Sequence, residues 1–492
     1  MERIIKRIRY FFSDASLFRI AYICDLFLCS VGYVNIAAEV GKVFFFVWGL
    51  SLFTNRYIAD LCIKKVNYYG WLVLFVASNI LTLFIRGYTD GIWESAMMIL
   101  NMPIIFFLFY GLHSEISEEY GVKKLLKELY CLCNIFMAMS LLLNIISIIS
   151  LYFIGKSVTY TLGYLVVYEN RFTGVYFNPN LMAFSSFCAA FCCHLLLKPD
   201  FVRYTTGKEI SKPKRIVTVI SIVMNLVVIL LTDSNATALI IICYLISFTC
   251  YRFFGGKEIH IGYIFKRVIT LIIALALITV TVFTVRFLFQ TGATQTITTS
   301  DHSSNTFDDS DDELNQITFE HKNKSLDSGR IKLFRQGINV IKHHPVMGVG
   351  KGNIIYYGNR YNNDKMKYTD FHNGYLTIIV CSGFVGFAFF IGFAVCLGYR
   401  MFRGLFTMKP PILHDIYPCL ASFIASYCVY AFFEKTMIFE VSFMVSFFWL
   451  ILGYAAVCLN RYEDEDYKIY AFSSMELFNK YKNKSTDKEQ QL

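Results

Sequence analysis

The chain has 492 residues, of which 56% are hydrophobic and 17% are charged, and its formal net charge is +10 at pH 7. Soluble globular domains have a charged fraction of about 25%, so this composition excludes most soluble folds and favours a chain that lies in a lipid bilayer. The positive charge does not indicate nucleic-acid binding, because the basic residues form short clusters between apolar segments. That arrangement is typical of an orientation signal in a membrane protein.

Apolar segments long enough to cross a bilayer recur along the chain. A transmembrane helix needs about 20 mostly apolar residues. Twelve segments come near that length, at residues 15–34, 38–55, 69–88, 93–113, 128–154, 179–197, 216–233, 236–254, 268–290, 372–398, 412–433 and 437–458. The sequence therefore predicts an all-α polytopic membrane protein of about twelve transmembrane helices, with one large extracytoplasmic loop that contains short helices.

The spacing of these segments predicts four regions. Residues 1–290 contain nine helices, residues 291–371 form the extracytoplasmic loop, residues 372–458 contain three helices, and residues 459–492 form a cytoplasmic tail. Six basic clusters fall on one side of the membrane when the amino terminus is placed in the cytoplasm, in agreement with the positive-inside rule. Both termini are therefore predicted to be cytoplasmic.

The large loop changes charge along its length. Residues 301–320 contain seven acidic residues and no Lys or Arg, whereas residues 321–371 contain ten Lys and Arg against three Asp and Glu. The acidic stretch is predicted to be solvated. The basic stretch lies on the side where the positive-inside rule disfavours Lys and Arg, which indicates that function requires them there.

A helix is predicted within the basic stretch, with Ser328 as a candidate cap and Pro345 as its end. Its apolar residues recur at spacings of three and four: Ile331, Phe334, Ile338 and Ile341. The helix is predicted to lie on the bilayer surface or to roof a cavity, with Arg330 and Arg335 on a neighbouring face where they meet a phosphate group. A simple interfacial helix with snorkelling basic side chains is the alternative.

His372 stands where the tenth predicted helix enters the membrane. A neutral imidazole at such a half-wet position accepts a proton from a hydroxyl nucleophile, although a lone histidine at a helix start is more often structural. The basic loop favours the catalytic interpretation, because arginine neutralises a leaving diphosphate without a metal ion. His372 is therefore the candidate base, with Arg330 as its phosphate-binding partner.

Glycines follow the predicted loop helix. Gly348 to Gly352 resembles a phosphate-binding loop only superficially, because Pro345 and Gly352 stand where such a loop has Gly and Ser or Thr. The glycines are interpreted as points of tight turning and close helix approach. The adjacent His343 and His344 point to different sides of a helix and make a poor metal pair. The sequence predicts no metal and no cofactor.

A second candidate anion site lies upstream. Arg171 precedes Asn178-Pro179-Asn180, where Pro179 suits the first position of a helix. The amino terminus of that helix directs its N–H groups outward beside Arg171. A structural turn alone also explains these residues, and the polar tip from Thr232 to Thr237 is ordinarily just a turn.

Together these motifs resemble the O-antigen ligase/polymerase superfamily of bacterial polysaccharide assembly, membrane glycosyltransferases that use polyprenyl-diphosphate-linked saccharides. The matching segments are Arg171-x-x-Gly174, Asn178-Pro-Asn180, Ser328-Gly-Arg330, His344-Pro-Val-Met-Gly-Val-Gly350, His372-Asn373 and Gly383-x-x-Gly386. One departure is Ser234-Asn235, where the family often has Ser-Arg at the tip after its middle helix.

The resemblance implies a GT-C-like fold in the bacterial cytoplasmic membrane and an extracytoplasmic active site. It assigns His372 to the acceptor hydroxyl, and Arg330 with Arg171 to the donor's diphosphate. Either Arg171 or Arg335 replaces the arginine missing from the tip, or the donor is held differently. The supporting residues are Asn178, Asn180, Asn373 and Gly350. The implied partners are a polyprenyl-diphosphate-linked oligosaccharide, a glycan or lipid acceptor, the lipid bilayer and other polysaccharide-assembly proteins.

Three functions stay open at this point. A polymerase joins repeat units, whereas a ligase moves the finished glycan to a terminal acceptor. A transporter of the same glycolipid also has about twelve spans and basic residues, but transporters carry ionisable residues at mid-membrane depth. Here the candidates Asp25, Asp60 and His194 lie toward predicted helix ends or in a loop. The enzyme interpretation, with a polymerase first, is therefore preferred.

Overall fold

A computed structural model describes residues 10–32, 34–60, 62–86, 90–115, 121–154, 158–159, 164–165, 167–168, 171–254, 284, 287–288, 330–366, 369–407, 411–460 and 472. In chain order the α-helices are α1 Ala15–Leu28, α2 Asn35–Phe53, α3 Tyr69–Arg86, α4 Ile92–Pro103, α5 Val122–Ile154, α6 Pro179–Leu196, α7 Pro199–Thr206, α8 Lys212–Thr232, α9 Asn235–Phe254, α10 Arg330–His343, α11 Ile354–Tyr361, α12 Gly374–Thr407, α13 Pro411–Tyr430 and α14 Phe443–Asn460.

Shorter elements complete the described fold. The π-helical segments are Thr54–Ala59 and Ile104–Phe109, and the 3-10 segments are Cys62–Lys65, Tyr110–Glu115 and Lys351–Asn353. Four two-residue strands pair antiparallel as hairpins, β1 Val158–Thr159 with β2 Tyr164–Leu165, and β3 Val167–Tyr168 with β4 Arg171–Phe172. The described residues are thus mostly helical, as the sequence predicted.

The described residues form two compact units. The first takes in the described parts of Met1–Ile23, Lys42–Leu126 and Asp327–Leu492, and the second takes in those of Cys24–Gly41 and Lys127–Leu326. The first unit contains α3, α4 and the helices from α10 onward. The second contains α6 to α9.

Seven helices among the described residues are long and apolar enough to cross a membrane: Asn35–Ala59, Tyr69–Arg86, Ile92–Glu115, Val122–Leu151, Pro179–Leu196, Lys212–Thr232 and Gly374–Leu405. Two further apolar helices are shorter, at Asn235–Tyr251 and Phe443–Leu459. These helices indicate a multi-pass membrane protein. The count of twelve stays a prediction, since the first predicted span forms a helix of only 14 residues and the span near 268–290 lies outside the described residues.

The helix α6 is apolar on every side and is buried along nearly its whole length. Such a helix belongs in the interior of its unit, because no side of it suits water. Its start is fixed locally. The side chain of Asn178 accepts a hydrogen bond from the Asn180 N–H at 2.7 Å, and Pro179 takes the first helical position. This is the helix start that the sequence predicted.

The helix α12 is interrupted at Gly383, where φ is 64° and ψ is −175°. The segment from Pro345 to Gly350 docks against this break through four backbone hydrogen bonds. They run from Phe384 N–H to Pro345 O at 2.7 Å, from Val385 N–H to Val346 O at 3.1 Å, from Val349 N–H to Val380 O at 2.9 Å and from Gly350 N–H to Cys381 O at 2.9 Å. The broken helix therefore keeps its backbone groups paired, which a membrane-spanning helix requires.

The close approach explains two of the glycines in the sequence motifs. A Cβ on Gly348 would lie 2.5 Å from the Gly383 nitrogen, and a Cβ on Gly383 would lie 2.2 Å from the Val346 carbonyl oxygen. Both glycines also have positive φ, a conformation that is strained for other residues. The interpretation of this segment as a point of tight turning and close helix approach fits the structure.

The described part of the loop predicted to be extracytoplasmic contains α10 and α11. The helix α10 covers Arg330–His343, and Pro345 follows two residues later. The predicted cap Ser328 lies outside the described residues. The side of α10 that packs on the protein consists of Gln336, Gly337 and Val340.

Candidate functional site

The start of α12 fixes the position of His372. Asn373 caps this helix, because its Oδ1 accepts a hydrogen bond from the Leu376 N–H at 2.9 Å. The Asn373 amide also donates to the Phe432 carbonyl at 3.1 Å, and the Gly374 N–H donates to the Ala431 carbonyl at 2.7 Å. These bonds tie the chain around His372 to the connection between α13 and α14. Asn373 thus fixes the backbone next to His372, and its supporting role in a site stays a prediction.

His372 faces two carboxylates. Its Nδ1 lies 3.4 Å from Glu434 Oε2 and 3.9 Å from Asp370 Oδ1, and 37% of its side chain is exposed. Its backbone N–H donates to Asp370 Oδ1 at 3.0 Å. His372 has a φ of 46°, which is uncommon for a residue other than glycine and is often found at functional sites.

Arg330 reaches the same carboxylate from the first residue of α10. Its Nη2 lies 3.9 Å from Glu434 Oε1, and its guanidinium lies over the ring of Phe433 at 5.9 Å from the centroid. Glu434 therefore stands between an imidazole on one oxygen and a guanidinium on the other. The structure brings together the two residues that the sequence assigned to catalysis.

The surroundings of His372 change the pKa of its imidazole. The hydrogen bond to Glu434 raises the pKa of His372 above its usual value of 6.5. Burial of the ring opposes this shift, the charge of Asp370 adds to it, and Arg330 lowers the pKa. With its proton on Nδ1 toward Glu434, the neutral imidazole accepts a proton on Nε2. His372 is thus a base of increased strength.

A network of charges holds Asp370 beside His372. Lys435 Nζ lies 3.2 Å from Asp370 Oδ2 and 3.6 Å from Glu440 Oε1. Burial alone would raise the pKa of Asp370, but the charges of Lys435 and His372 bring it below its usual value. Asp370 is therefore ionised at neutral pH and anchors the loop that carries His372.

Gly350 supports the segment that precedes His372. Its φ is 78°, and a Cβ there would lie 3.1 Å from Ser95 Oγ. The Ser95 hydroxyl accepts a hydrogen bond from the Gly352 N–H at 2.9 Å. Lys351 is buried, and its amine donates to the Thr369 carbonyl. The glycine turn thus places a buried lysine next to the residue that precedes Asp370.

His344 of the His344-Pro345 pair has a different environment. Its Nδ1 lies 2.8 Å from Arg86 Nη2, and its Nε2 lies 3.0 Å from Tyr361 Oη. Burial, followed by the charge of Arg86, lowers the pKa of His344 to about 4. Because Arg86 is a donor only, His344 is neutral and accepts on Nδ1. Its contacts are those of a structural histidine that joins α3 to α11.

Arg335 occupies a different side of α10 from Arg330. Residues five positions apart on a helix differ by about 140° around its axis, and Arg335 is exposed. Its assignment to the donor diphosphate stays a prediction.

Arg171 lies in the second unit, at the polar tip between α8 and α9. Its Nε donates to the Thr232 carbonyl at 2.8 Å, and its Nη2 donates to Asn180 Oδ1 at 2.7 Å. The Ser234 hydroxyl donates to the same Asn180 oxygen at 3.0 Å. The guanidinium thus lies beside Ser234-Asn235, where the resemblance expects an arginine. That Arg171 substitutes for this arginine stays a prediction.

Sequence reasoning missed Glu434, Lys435 and Asp370 as site residues. Glu434 and Lys435 were visible only as charges in a short connection between two apolar segments. A charged pair in an outer connection of an otherwise apolar chain is the signal that points to them.

The described residues contain no group of three His, Cys, Asp or Glu side chains arranged to hold a metal ion. The acidic run 301–320 lies outside them. It includes Asp309 and Asp311, two positions apart, so metal independence stays a prediction.

Comparison with known proteins finds a family match over part of the chain. No curated protein matches the chain. Residues 220–391 match the family model described as O-Antigen ligase, a region that includes Arg330, Gly350, His372 and Gly383. The resemblance drawn from the motifs is thereby confirmed. Residues 220–391, and with them His372 and Arg330, are similar to the O-antigen ligase family, whereas Arg171, Asn178 and Asn180 lie before the matched region.

Proposed function

We propose that the protein transfers a glycan from a polyprenyl-diphosphate-linked saccharide to an acceptor hydroxyl on the extracytoplasmic side of the bacterial cytoplasmic membrane. The family supports ligase or polymerase activity in general. Our proposal is a repeat-unit polymerase of a cell-surface polysaccharide. The observation that supports glycosyl transfer is the carboxylate of Glu434, which has His372 near one oxygen and Arg330 near the other.

In the proposed reaction His372 takes the proton of the acceptor hydroxyl on Nε2. The acceptor oxygen forms a bond to the anomeric carbon of the donor while the bond from that carbon to the diphosphate oxygen breaks. The electron pair leaves with the polyprenyl diphosphate. Attack from the face opposite the leaving group inverts the configuration. A carboxylate that orients the imidazole is the usual companion of such a base.

Arg330 neutralises the leaving diphosphate. The distance of 3.9 Å to Glu434 is long for an ion pair, and 30% of the Arg330 side chain is exposed. The guanidinium is thus loosely held, and its planar fork matches two phosphate oxygens. Charge that develops on the leaving group is stabilised by such a donor in the transition state. The assignments of Arg171 and Arg335 to further contacts with the diphosphate stay predictions.

Experiments distinguish the proposed polymerase from a ligase and from a transporter. A ligase performs the same chemistry on a different acceptor, so the size of the product distinguishes it from a polymerase. A transporter moves the glycolipid without forming a bond. One of its candidate residues, His194, is hydrogen-bonded through Nδ1 to Tyr244 Oη at 2.7 Å, a contact that serves helix packing.

The test is transfer by the purified full-length protein in nanodiscs with a polyprenyl-diphosphate oligosaccharide, in the presence of EDTA. We expect a ladder of glycans that increases by one repeat unit, with loss of the ladder in Arg330→Gln. The matched control is Arg203→Gln, which changes an exposed arginine that pairs with Glu209 at 2.9 Å. Transfer to a terminal acceptor without a ladder would favour the ligase. Glycolipid movement without a new bond would contradict the proposal.

The pH dependence of transfer tests the assignment of His372. The base acts in its neutral form, so the rate rises with pH through the raised pKa of His372. Glu434→Gln removes the largest cause of that shift, and the midpoint of the acidic limb should move to lower pH. The control Asp364→Asn removes the exposed carboxylate that pairs with Lys332. An unchanged midpoint in Glu434→Gln would contradict the assignment.

A further inference from the structure

The helix α10 exposes two of its apolar residues and buries a polar one. Ile331 is 51% exposed and Ile338 is 46% exposed, whereas Gln336 is only 5% exposed. The amide of the buried Gln336 donates a hydrogen bond to the Asp364 carbonyl at 3.3 Å, so this donor has a partner. A helix on a protein surface in water usually shows the opposite arrangement, with polar residues outward.

The outward side of α10 combines aliphatic and basic residues. At about 100° per residue, Ile331, Arg335, Ile338 and Lys342 fall within an arc of about 60°. All four are exposed. We call these four residues the outward face. Long basic side chains beside branched aliphatic ones are typical of a helix that lies in a membrane interface.

The packing of α10 places it at the end of a candidate membrane span. A Cβ on Gly337 would lie 3.0 Å from Leu376 Cδ2 and 3.1 Å from Phe371 Cδ1. Leu376 belongs to the first turn of α12, which is apolar and long enough to cross the membrane. The absence of a side chain at Gly337 lets α10 pack directly on that first turn. The helix thus lies at the level where α12 begins.

We infer that the outward face of α10 rests on the membrane surface and binds the phosphate groups of anionic phospholipids. The isoleucines enter the boundary between headgroups and acyl chains, and Arg335 with Lys342 meets the phosphates. The charge of the described loop fits this partner. Residues 330–366 contain seven Lys and Arg and a single acidic residue, Asp364. The outward face does not include His372, Glu434 or Arg330, on which the glycosyl-transfer proposal rests.

Site-specific photo-crosslinking of the full-length protein tests the inference. Benzoylphenylalanine replaces Ile338, in nanodiscs of equal amounts of phosphatidylglycerol and phosphatidylcholine, and adducts are identified by mass spectrometry. We expect lipid adducts in which phosphatidylglycerol is favoured, by about fivefold for each basic residue near the surface. Arg335→Gln with Lys342→Gln should keep the lipid adducts and remove the preference. The same probe at Glu209, an exposed residue of the second unit, is the control.

Several outcomes would overturn the inference. The first is that no lipid adduct forms at position 338 in protein that remains monodisperse. The second is that adducts to the two lipids form in equal amounts. The third is that the probe forms adducts to a glycan or to a second copy of the chain. None of these outcomes depends on whether transfer occurs, so a failure here is distinguishable from a failure of the proposed enzymatic function.

Discussion

We expect His372→Ala to lower the rate of glycan transfer by about 10²- to 10⁴-fold, the usual contribution of a general base. The base would be lost, while the contacts of Asn373 that start α12 would remain. The measurement is the initial rate of transfer by protein purified from the membrane at wild-type yield. Transfer by His372→Ala at the wild-type rate would contradict the assignment of His372 as the base.

Because φ of His372 is positive, a second variant is needed. Its φ of 46° is tolerated by Asn better than by Ala. His372→Asn should therefore preserve the conformation and lose the base, and it should be as inactive as His372→Ala. The matched control is His343→Asn on the same loop, where the histidine is exposed and contacts the Asn339 carbonyl at 2.8 Å. Substantial activity in His372→Asn would show that position 372 matters for backbone shape alone.

Gly383→Val should strongly destabilise the folded protein. The φ and ψ of Gly383 lie in a region that only glycine adopts readily, which costs a valine about 1–3 kcal/mol. The added Cβ would also overlap the Val346 carbonyl oxygen, 2.2 Å away. The segment from Pro345 to Gly350 would then leave α12, and the positions of Lys351 and Asp370 would change with it.

Thermal unfolding in detergent, followed by the loss of monodisperse protein, measures this effect. We expect a clearly lower unfolding temperature for Gly383→Val and for Gly348→Val, whose Cβ would meet Gly383. Gly398→Ala in the same helix is the control, because nothing lies within 4 Å of the added atom and alanine favours helix. Equal unfolding temperatures for Gly383→Val and the control would contradict the docking.

Some features follow from short stretches of sequence. The membrane class follows from the length of apolar segments, since each helix in lipid must satisfy its own backbone. The start of α6 follows from Asn178-Pro179, because a cap and a first-turn proline act within four residues. The helix α10 follows from its apolar spacing. In each case the physical cause acts between near neighbours in the chain.

Other features depend on contacts between distant residues. The spacing of Ile331 and Ile338 predicted an apolar face but not which side would meet the protein, and Gly337 decided that by its approach to α12. The sequence around Thr232 predicted a simple turn, but in the structure Arg171 donates a hydrogen bond to the Thr232 carbonyl. A local pattern specifies a face or a turn, but its partner is chosen by packing.

The sequence by itself determined that this protein is a membrane-embedded helical chain with motifs that resemble those of the O-antigen ligase/polymerase superfamily, and it named His372 and Arg330. Only the tertiary structure decided that both meet at Glu434, 62 positions after His372. A hydrogen bond or ion pair acts over a few ångströms of space and leaves no periodic trace in the chain. The strength of His372 as a base is therefore set by a neighbour that the fold supplies.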